Sequence, residues 1–191
     1  MSLWLVRHAQ PLVAPGTCYG QLDMAADTDA TRHCAETLAK ILPPAISVFA
    51  SPLQRCEQLV HVLRGLRPNL ACKTDARLQE MNFGRWEGLA WAAIPRTELD
   101  GWTAGFGGYV AGQTGESVMQ FMARVAAAFD ALARDTDTLW ITHAGVIRAA
   151  GLIARGVRRI DRADQWPSAA PAYGQWCKLD LPDLPDISIS R

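Results

Sequence analysis

The stretch Leu3-Trp-Leu-Val-Arg-His8 decides how the rest of the chain is interpreted. Four apolar residues in a row, followed at once by two basic ones, predict a buried strand that ends in polar side chains. A second apolar stretch, over residues 138–142, likewise ends at a histidine, His143. Two histidines that end neighbouring strands could converge on one crevice, but two unrelated turn histidines would show the same pattern.

Strands and helices alternate along the chain between these two stretches and beyond them. Further strands are predicted over residues 46–50, 71–74 and 175–181, and helices over 27–42, 51–64, 114–133 and 144–155. This alternation is typical of a three-layer α/β/α sandwich with a mostly parallel sheet. Ligands of such folds bind beyond the carboxyl ends of the strands. The tail from Pro182 is expected to be loosely held.

Residues 75–114 interrupt the alternation. They show no clean period and are rich in glycine and in aromatic residues, among them Trp86, Trp91, Trp102, Phe106 and Tyr109. We therefore expect a single domain over residues 1–191, with this stretch as a short insertion over the site.

The composition narrows the classes of function. The chain has 191 residues, and its 19 basic and 19 acidic residues give a net charge of zero. A neutral chain argues against nucleic acid or an anionic membrane as partner, and no apolar run is long enough to span a bilayer. The five cysteines form no CxxC pair, and no secretion signal is recognisable, so we expect reduced thiols and a cytoplasmic protein.

Two further segments carry candidate chemistry. In Ser51-Pro-Leu-Gln-Arg-Cys56, Arg55 falls in the first turn of a predicted helix. The helix dipole disfavours a cation at that position, and an anion bound at the same helix end would explain why Arg55 is there. Glu80 precedes a turn marked by glycine and tryptophan, which suits a general acid. Glu87 nearby is interpreted as structural, and His33 and His61, inside helical patterns, as surface or packing residues.

Other motifs are absent from the sequence. There is no P-loop, no GxSxG nucleophile elbow and no HExxH. No two histidines stand at helical i, i+4 spacing, and neither a metal site nor a cofactor is expected.

Taken together, the segments resemble the histidine phosphatase superfamily, which has a phosphoglycerate-mutase-like fold. They occur in that family's order and comprise residues 5–9, 51–56, 78–88, 114–117 and 141–145. The resemblance implies that His8 is the nucleophile that becomes phosphohistidine and that Arg7, Arg55 and His143 bind the phosphoryl oxygens. It also implies that Glu80 gives a proton to the leaving alcohol and later activates water. Tyr19, Gly20 and Ala144 are further candidates for binding substrate.

The chain departs from the family pattern directly after the nucleophile. It has Ala9 where glycine is usual, then Gln10-Pro11, and Ala14 near the usual asparagine, so side chains that often help to hold phosphate are missing. These departures argue against phosphoglycerate mutase activity.

Within the superfamily, residues 3–8, 17–23 and 78–87 resemble the α-ribazole-5′-phosphate phosphatases of cobalamin biosynthesis. The expected function is thus metal-independent hydrolysis of a small phosphorylated metabolite, with a homodimer as one open arrangement. A broad-specificity phosphatase or mutase, and a binding protein that retains phospho-ligands without turnover, remain the alternatives.

Overall fold

A computed structural model describes residues 1–133 and 135–181 of the chain. Five strands form one sheet in the order β3-β2-β4-β1-β5. They are β1 (Ser2–Arg7), β2 (Ser47–Ala50), β3 (Cys72–Thr74), β4 (Thr138–Thr142) and β5 (Trp176–Asp180). Strands β1 to β4 run parallel and β5 pairs antiparallel with β1, so the mostly parallel sheet is confirmed. The tail from Pro182 lies outside the described residues.

Helices cover both faces of the sheet. They are α1 (Thr28–Ile41), α2 (Gln54–Leu66), α3 (Arg96–Ala104), α4 (Val118–Asp130) and α5 (Ala144–Ala154). Because side chains alternate along a strand, Leu3 and Leu5 of β1 pack on the side of α4 and α5, while Trp4 and Val6 pack on the side of α1 and α2. The three-layer arrangement is therefore confirmed. No helix in the described ranges combines the length and apolarity needed to cross a membrane.

Two helices begin later than the sequence predicts. Helix α2 starts at Gln54 because Leu53 is extended and its N–H donates to Ser51 Oγ; the helix then continues through Gly65. Helix α4 starts at Val118 because Ser117 and Gln120 form a capping box, each side chain accepting the other's backbone N–H. Arg55 nevertheless lies in the first turn of α2, as predicted.

The stretch 75–114 contains a helix that the sequence does not reveal. In helix α3, Leu99 and Trp102 pack against the core, and two apolar residues are too few for a period to be read. Short 3₁₀ turns make up other parts of the stretch, at Ala76–Leu78, Gly84–Trp86, Trp91–Ala93 and Ala111–Gln113.

The strand register determines where the site forms. Arg7 of β1 is paired with Thr142 of β4, and the His8 N–H donates to the Thr142 carbonyl at 3.0 Å. On the other side of β4, the Ser51 N–H donates to the Ile141 carbonyl at 3.0 Å. The residues that follow β1, β4 and β2 therefore lie side by side at the carboxyl edge of the sheet.

Candidate active site

His8 and His143 meet at this edge. Their ring centroids are 5.1 Å apart, and both side chains are buried. The convergence predicted from the two strand ends is therefore observed. The roles of the two histidines follow from what surrounds each ring.

The His8 ring is held in one neutral tautomer. Its Nδ1 lies 2.7 Å from the carbonyl oxygen of Ala9, which can only accept, so Nδ1 carries the hydrogen. Its Nε2 accepts the Nε–H of Arg55 at 3.3 Å and therefore presents a lone pair. Burial and, secondly, the charge of Arg55 lower the pKa of His8 to about 3. At neutral pH the ring is uncharged and its Nε2 can act as a nucleophile.

The Arg55 guanidinium is fully buried behind this ring. It donates to the carbonyl oxygens of Gly20 at 2.6 Å and Leu22 at 3.0 Å. Gly20 thus holds Arg55 through its backbone and lies outside the cavity lining. A side chain there would meet the Met81 carbonyl, because a Cβ would lie 1.7 Å from that oxygen.

Arg7 supplies the second guanidinium at the cavity. Its Nη1 donates to the Pro171 carbonyl at 3.1 Å, and its Cζ lies 3.7 Å from the centre of the Tyr173 ring. Its Nε is buried and has no hydrogen-bond partner within the described part of the chain. An unpaired buried donor is costly unless a ligand accepts from it, so Arg7 is suited to an anion.

His143 lies between β4 and the first turn of α5. Its Nε2 is 2.8 Å from Ser51 Oγ and 3.6 Å from Cys56 Sγ. Burial, reinforced by the nearby charge of Arg55, lowers the pKa of His143 well below its ordinary value. Its Nδ1 is buried without a partner in the described ranges and is therefore available to a ligand.

Glu80 rests on the amino-terminal end of α5. Its Oε2 accepts the N–H of Gly145 at 2.9 Å, and its Oε1 accepts the N–H of Met81 at 2.9 Å. The neighbouring Glu87 instead accepts the backbone N–H groups of Gln21, Leu22 and Phe83, which agrees with the structural role predicted for it.

A cavity of about 460 Å³ lies at this site. It is bordered by Arg7, His8, Tyr19, Arg55, Glu80, His143 and Ala144. Its far wall is aromatic and is formed by Phe83, Trp91, Trp102, Phe106, Phe121 and Trp166. Most of these rings come from the stretch 83–106, so the irregular stretch supplies much of the cavity wall. Within the described residues, no group of three or more His, Cys, Asp or Glu side chains could hold a metal ion.

Two further residues at the site were not predicted from the sequence. Arg148 lines the cavity and stands one helical turn after Ala144 on α5, a spacing that could have revealed it. Burial lowers the pKa of Arg148. Tyr173 packs on Arg7 from a loop that precedes β5, and no sequence signal marks it.

Two arginines beside an uncharged histidine suit a dianionic phosphate, and the nearby carboxyl group suits proton transfer to the group that leaves it. The fold and the site together define an enzyme of the phosphatase class. The model of the histidine phosphatase superfamily, branch 1, matches residues 3–179, and the chain belongs to that superfamily.

Solved structures share this architecture. The protein TTHB049 of Thermus thermophilus is 26% identical, with a TM-score of 0.72 and 95% of each chain covered. The mycobacterial glucosyl-3-phosphoglycerate phosphatase, complexed with VO3, is 24% identical, with a TM-score of 0.74, 94% of this chain covered and 92% of that one. The similarity to the mycobacterial phosphatase supports the fold alone. No curated protein matches the chain.

Proposed function

We infer that the protein hydrolyses phosphomonoesters through a phosphohistidine at His8, and that its substrate is α-ribazole 5′-phosphate. The observation that carries the catalytic part is the His8 ring itself. Its Nδ1 hydrogen is committed to the Ala9 carbonyl, and its Nε2 lone pair faces the guanidinium of Arg55. This arrangement supports His8 Nε2 as the nucleophile toward a phosphoryl group held by the arginines.

The reaction proceeds in two displacements. In the first, His8 Nε2 forms a bond to phosphorus while the ester P–O bond breaks, and protonated Glu80 gives its hydrogen to the leaving oxygen. In the second, Glu80 takes a proton from water, whose oxygen attacks phosphorus as the P–N bond breaks. Phosphate then leaves, and His8 is neutral again.

The basic residues stabilise charge in both displacements. A phosphomonoester carries close to two negative charges near neutral pH. Arg7 and Arg55 bring two positive charges to it, and the free Nδ1 of His143 provides a further hydrogen-bonding position. Such preorganised donors suit the charge on the transferring group, so the mechanism needs no metal ion.

The aromatic wall supports the assignment of the leaving alcohol. A cavity of about 460 Å³ is within the range of small-molecule sites. In its wall, Trp91 and Trp102 lie nearly parallel, at 16° and 6.3 Å between ring centroids. Rings of this kind favour stacking with a flat aromatic group, and α-ribazole carries a benzimidazole base. An alcohol without an aromatic group would leave this wall unused.

The test is phosphate release in the presence of EDTA by the wild type, by His8→Ala and by His33→Ala, which changes an exposed histidine. The substrates are α-ribazole 5′-phosphate, 3-phosphoglycerate and p-nitrophenyl phosphate. We expect the highest kcat/KM on the ribazole ester, no turnover by His8→Ala and full turnover by His33→Ala.

Each part of the proposal can fail separately. If only p-nitrophenyl phosphate is hydrolysed, the proposed substrate is wrong and the proposed catalytic mechanism is still supported. Substantial activity of His8→Ala, or the loss of wild-type activity in EDTA, would overturn the mechanism. Binding of the ribazole ester without any turnover would indicate a phospho-ligand binding protein instead.

A further inference from the structure

Two tyrosines from separate loops meet beside the nucleophile. The hydroxyl oxygens of Tyr19 and Tyr173 are 2.6 Å apart, a short hydrogen bond between a residue that precedes α1 and one that precedes β5. The contact joins two loops that are far apart in the sequence. The chemistry described so far makes no use of this bond.

Each ring of the pair also covers one of the two arginines. The Tyr173 ring lies 3.7 Å from Arg7 Cζ and 5.6 Å from the His8 ring centroid. The Tyr19 ring lies 5.6 Å from Arg55 Cζ. Both distances to the guanidinium carbons are within the range of cation–π attraction. The pair therefore touches Arg7, Arg55 and His8 together.

A count of hydrogens shows that the pair has one hydroxyl hydrogen left for another acceptor. Two phenols carry two O–H hydrogens, and the bond between them uses one. Tyr19 lines the cavity. Tyr173 lies outside the cavity lining and packs on Arg7. If Tyr173 donates to Tyr19, the remaining hydrogen lies on the cavity side. Burial raises the pKa of Tyr19 further above its ordinary value, so its hydroxyl keeps that hydrogen.

We propose that Tyr19 donates its hydroxyl hydrogen to a phosphoryl oxygen and that Tyr173 is a positioning residue that orients this hydroxyl and holds Arg7. The proposal rests on phosphate being the group bound beside His8. Phosphoryl oxygens are strong acceptors. Tyr19 adds a neutral donor to a pocket whose other donors are guanidinium and imidazole groups.

The test measures the Kd of inorganic phosphate by calorimetry, a readout that requires no turnover. The variants are Tyr19→Phe, Tyr173→Phe and the double variant, with Tyr109→Phe as the matched control. Tyr109 is the third tyrosine of the chain, and it stacks on Trp86 outside the cavity lining. Unfolding by urea checks that each variant is folded.

Tyr19→Phe should weaken phosphate binding about tenfold or more, as expected for a lost hydrogen bond to a charged group. Tyr173→Phe should weaken it less, and the double variant should be no worse than Tyr19→Phe. Tyr173→Leu, which also removes the ring from Arg7, should weaken binding beyond Tyr173→Phe. Tyr109→Phe should bind as the wild type does.

A Kd for Tyr19→Phe within twofold of that for Tyr109→Phe would overturn the proposal, as would purely additive effects of the two substitutions. The proposed function is tested separately by turnover. If the wild type binds phosphate through Tyr19 but hydrolyses no ester, the proposed function fails and the role of Tyr19 stands. If it hydrolyses esters and Tyr19→Phe binds phosphate normally, the reverse holds.

Discussion

Glu80 Oε2 accepts a hydrogen bond from the backbone N–H of Gly145 at 2.9 Å. The carboxyl group assigned to proton transfer is thus placed by the first turn of α5, the helix that begins directly after His143. The contact leaves no room for a side chain, because a Cβ at Gly145 would lie 2.1 Å from Glu80 Oε1. The absence of a side chain at Gly145 therefore allows Glu80 to lie here.

Gly145→Ala should displace Glu80 while leaving the fold intact. The clash is with the end of a flexible side chain, so the carboxyl group can move at little cost to stability. Turnover of alkyl phosphates should fall on the order of 10²-fold, the lower range for a lost general acid. Steady-state kinetics and the midpoint of urea unfolding together check this expectation.

The control for that substitution lies on the same helix. A Cβ at Gly151 would lie 3.8 Å from its nearest neighbour, Arg155 Nη1, an ordinary contact. Gly151→Ala should therefore keep wild-type turnover. Unchanged kinetics in Gly145→Ala would show that the placement of Glu80 is immaterial to the reaction.

Glu80→Gln should divide substrates by their leaving groups. A poor leaving alkoxide needs a proton in the transition state, whereas p-nitrophenolate does not, so kcat should fall about 10²–10⁴-fold on alkyl phosphates and much less on p-nitrophenyl phosphate. Glu87→Gln is unsuitable as a control because Glu87 holds three backbone N–H groups. Glu57→Gln, on the surface of α2, serves instead. Equal losses on both kinds of substrate would speak against proton transfer by Glu80.

The stability of the protein should depend on pH through its buried histidines. Burial lowers the pKa of His8 from 6.5 to about 3, and lowers that of His143 as well. Below about pH 6.5 the unfolded chain binds a proton on each of these histidines, and the folded chain does not. The contribution of the two histidines to the free energy of unfolding is therefore fully present above that pH and is lost as pH falls. Each histidine should contribute a slope of about 1.4 kcal/mol per pH unit between roughly pH 6 and 4.

Urea unfolding at several pH values measures this slope. His8→Gln should reduce the slope by about 1.4 kcal/mol per pH unit, the contribution of one histidine, whatever its effect on stability at neutral pH. The exposed His33→Gln should retain the wild-type slope. An unchanged slope in His8→Gln would mean that the folded protein binds a proton on His8 as readily as the unfolded chain does.

Trp102→Ala tests the aromatic wall. Stacking of a base on an aromatic side chain is worth about 1–3 kcal/mol on substitution by alanine, so KM for α-ribazole 5′-phosphate should rise roughly tenfold. KM for glycerol 3-phosphate, which has no ring, should change little. Trp176→Ala, at an exposed tryptophan on the edge strand, provides the control. A parallel loss on both esters would indicate a packing role for Trp102.

The parts of the site that follow strands were predictable from the sequence. Apolar runs that stop at a histidine indicate both a buried strand and its functional end, and parallel pairing brings such ends together. The strand ends therefore mark His8 and His143 as candidates, and the structure brings their rings together. Arg55 was found because a cation in the first turn of a helix is unusual.

Residues on loops were not predictable in the same way. Tyr173 reaches Arg7 only because the chain before β5 folds back over the sheet edge, where the Gly174 N–H donates to the carbonyls of Arg7 and His8 at 3.2 and 3.1 Å. Such contacts have no period in the sequence. Helix α3 was not predicted for a related reason, since its apolar face is limited to Leu99 and Trp102.

The pairing of β1 with β4 and β5 has a consequence for protein synthesis. His8 follows β1 and is translated before both neighbours of that strand, which lie within residues 138–180. A nascent chain on the ribosome must therefore keep this apolar strand unpaired until β4 and β5 have been made. Premature termination before β4 would yield a polypeptide that contains His8 but lacks His143, the second histidine of the cavity.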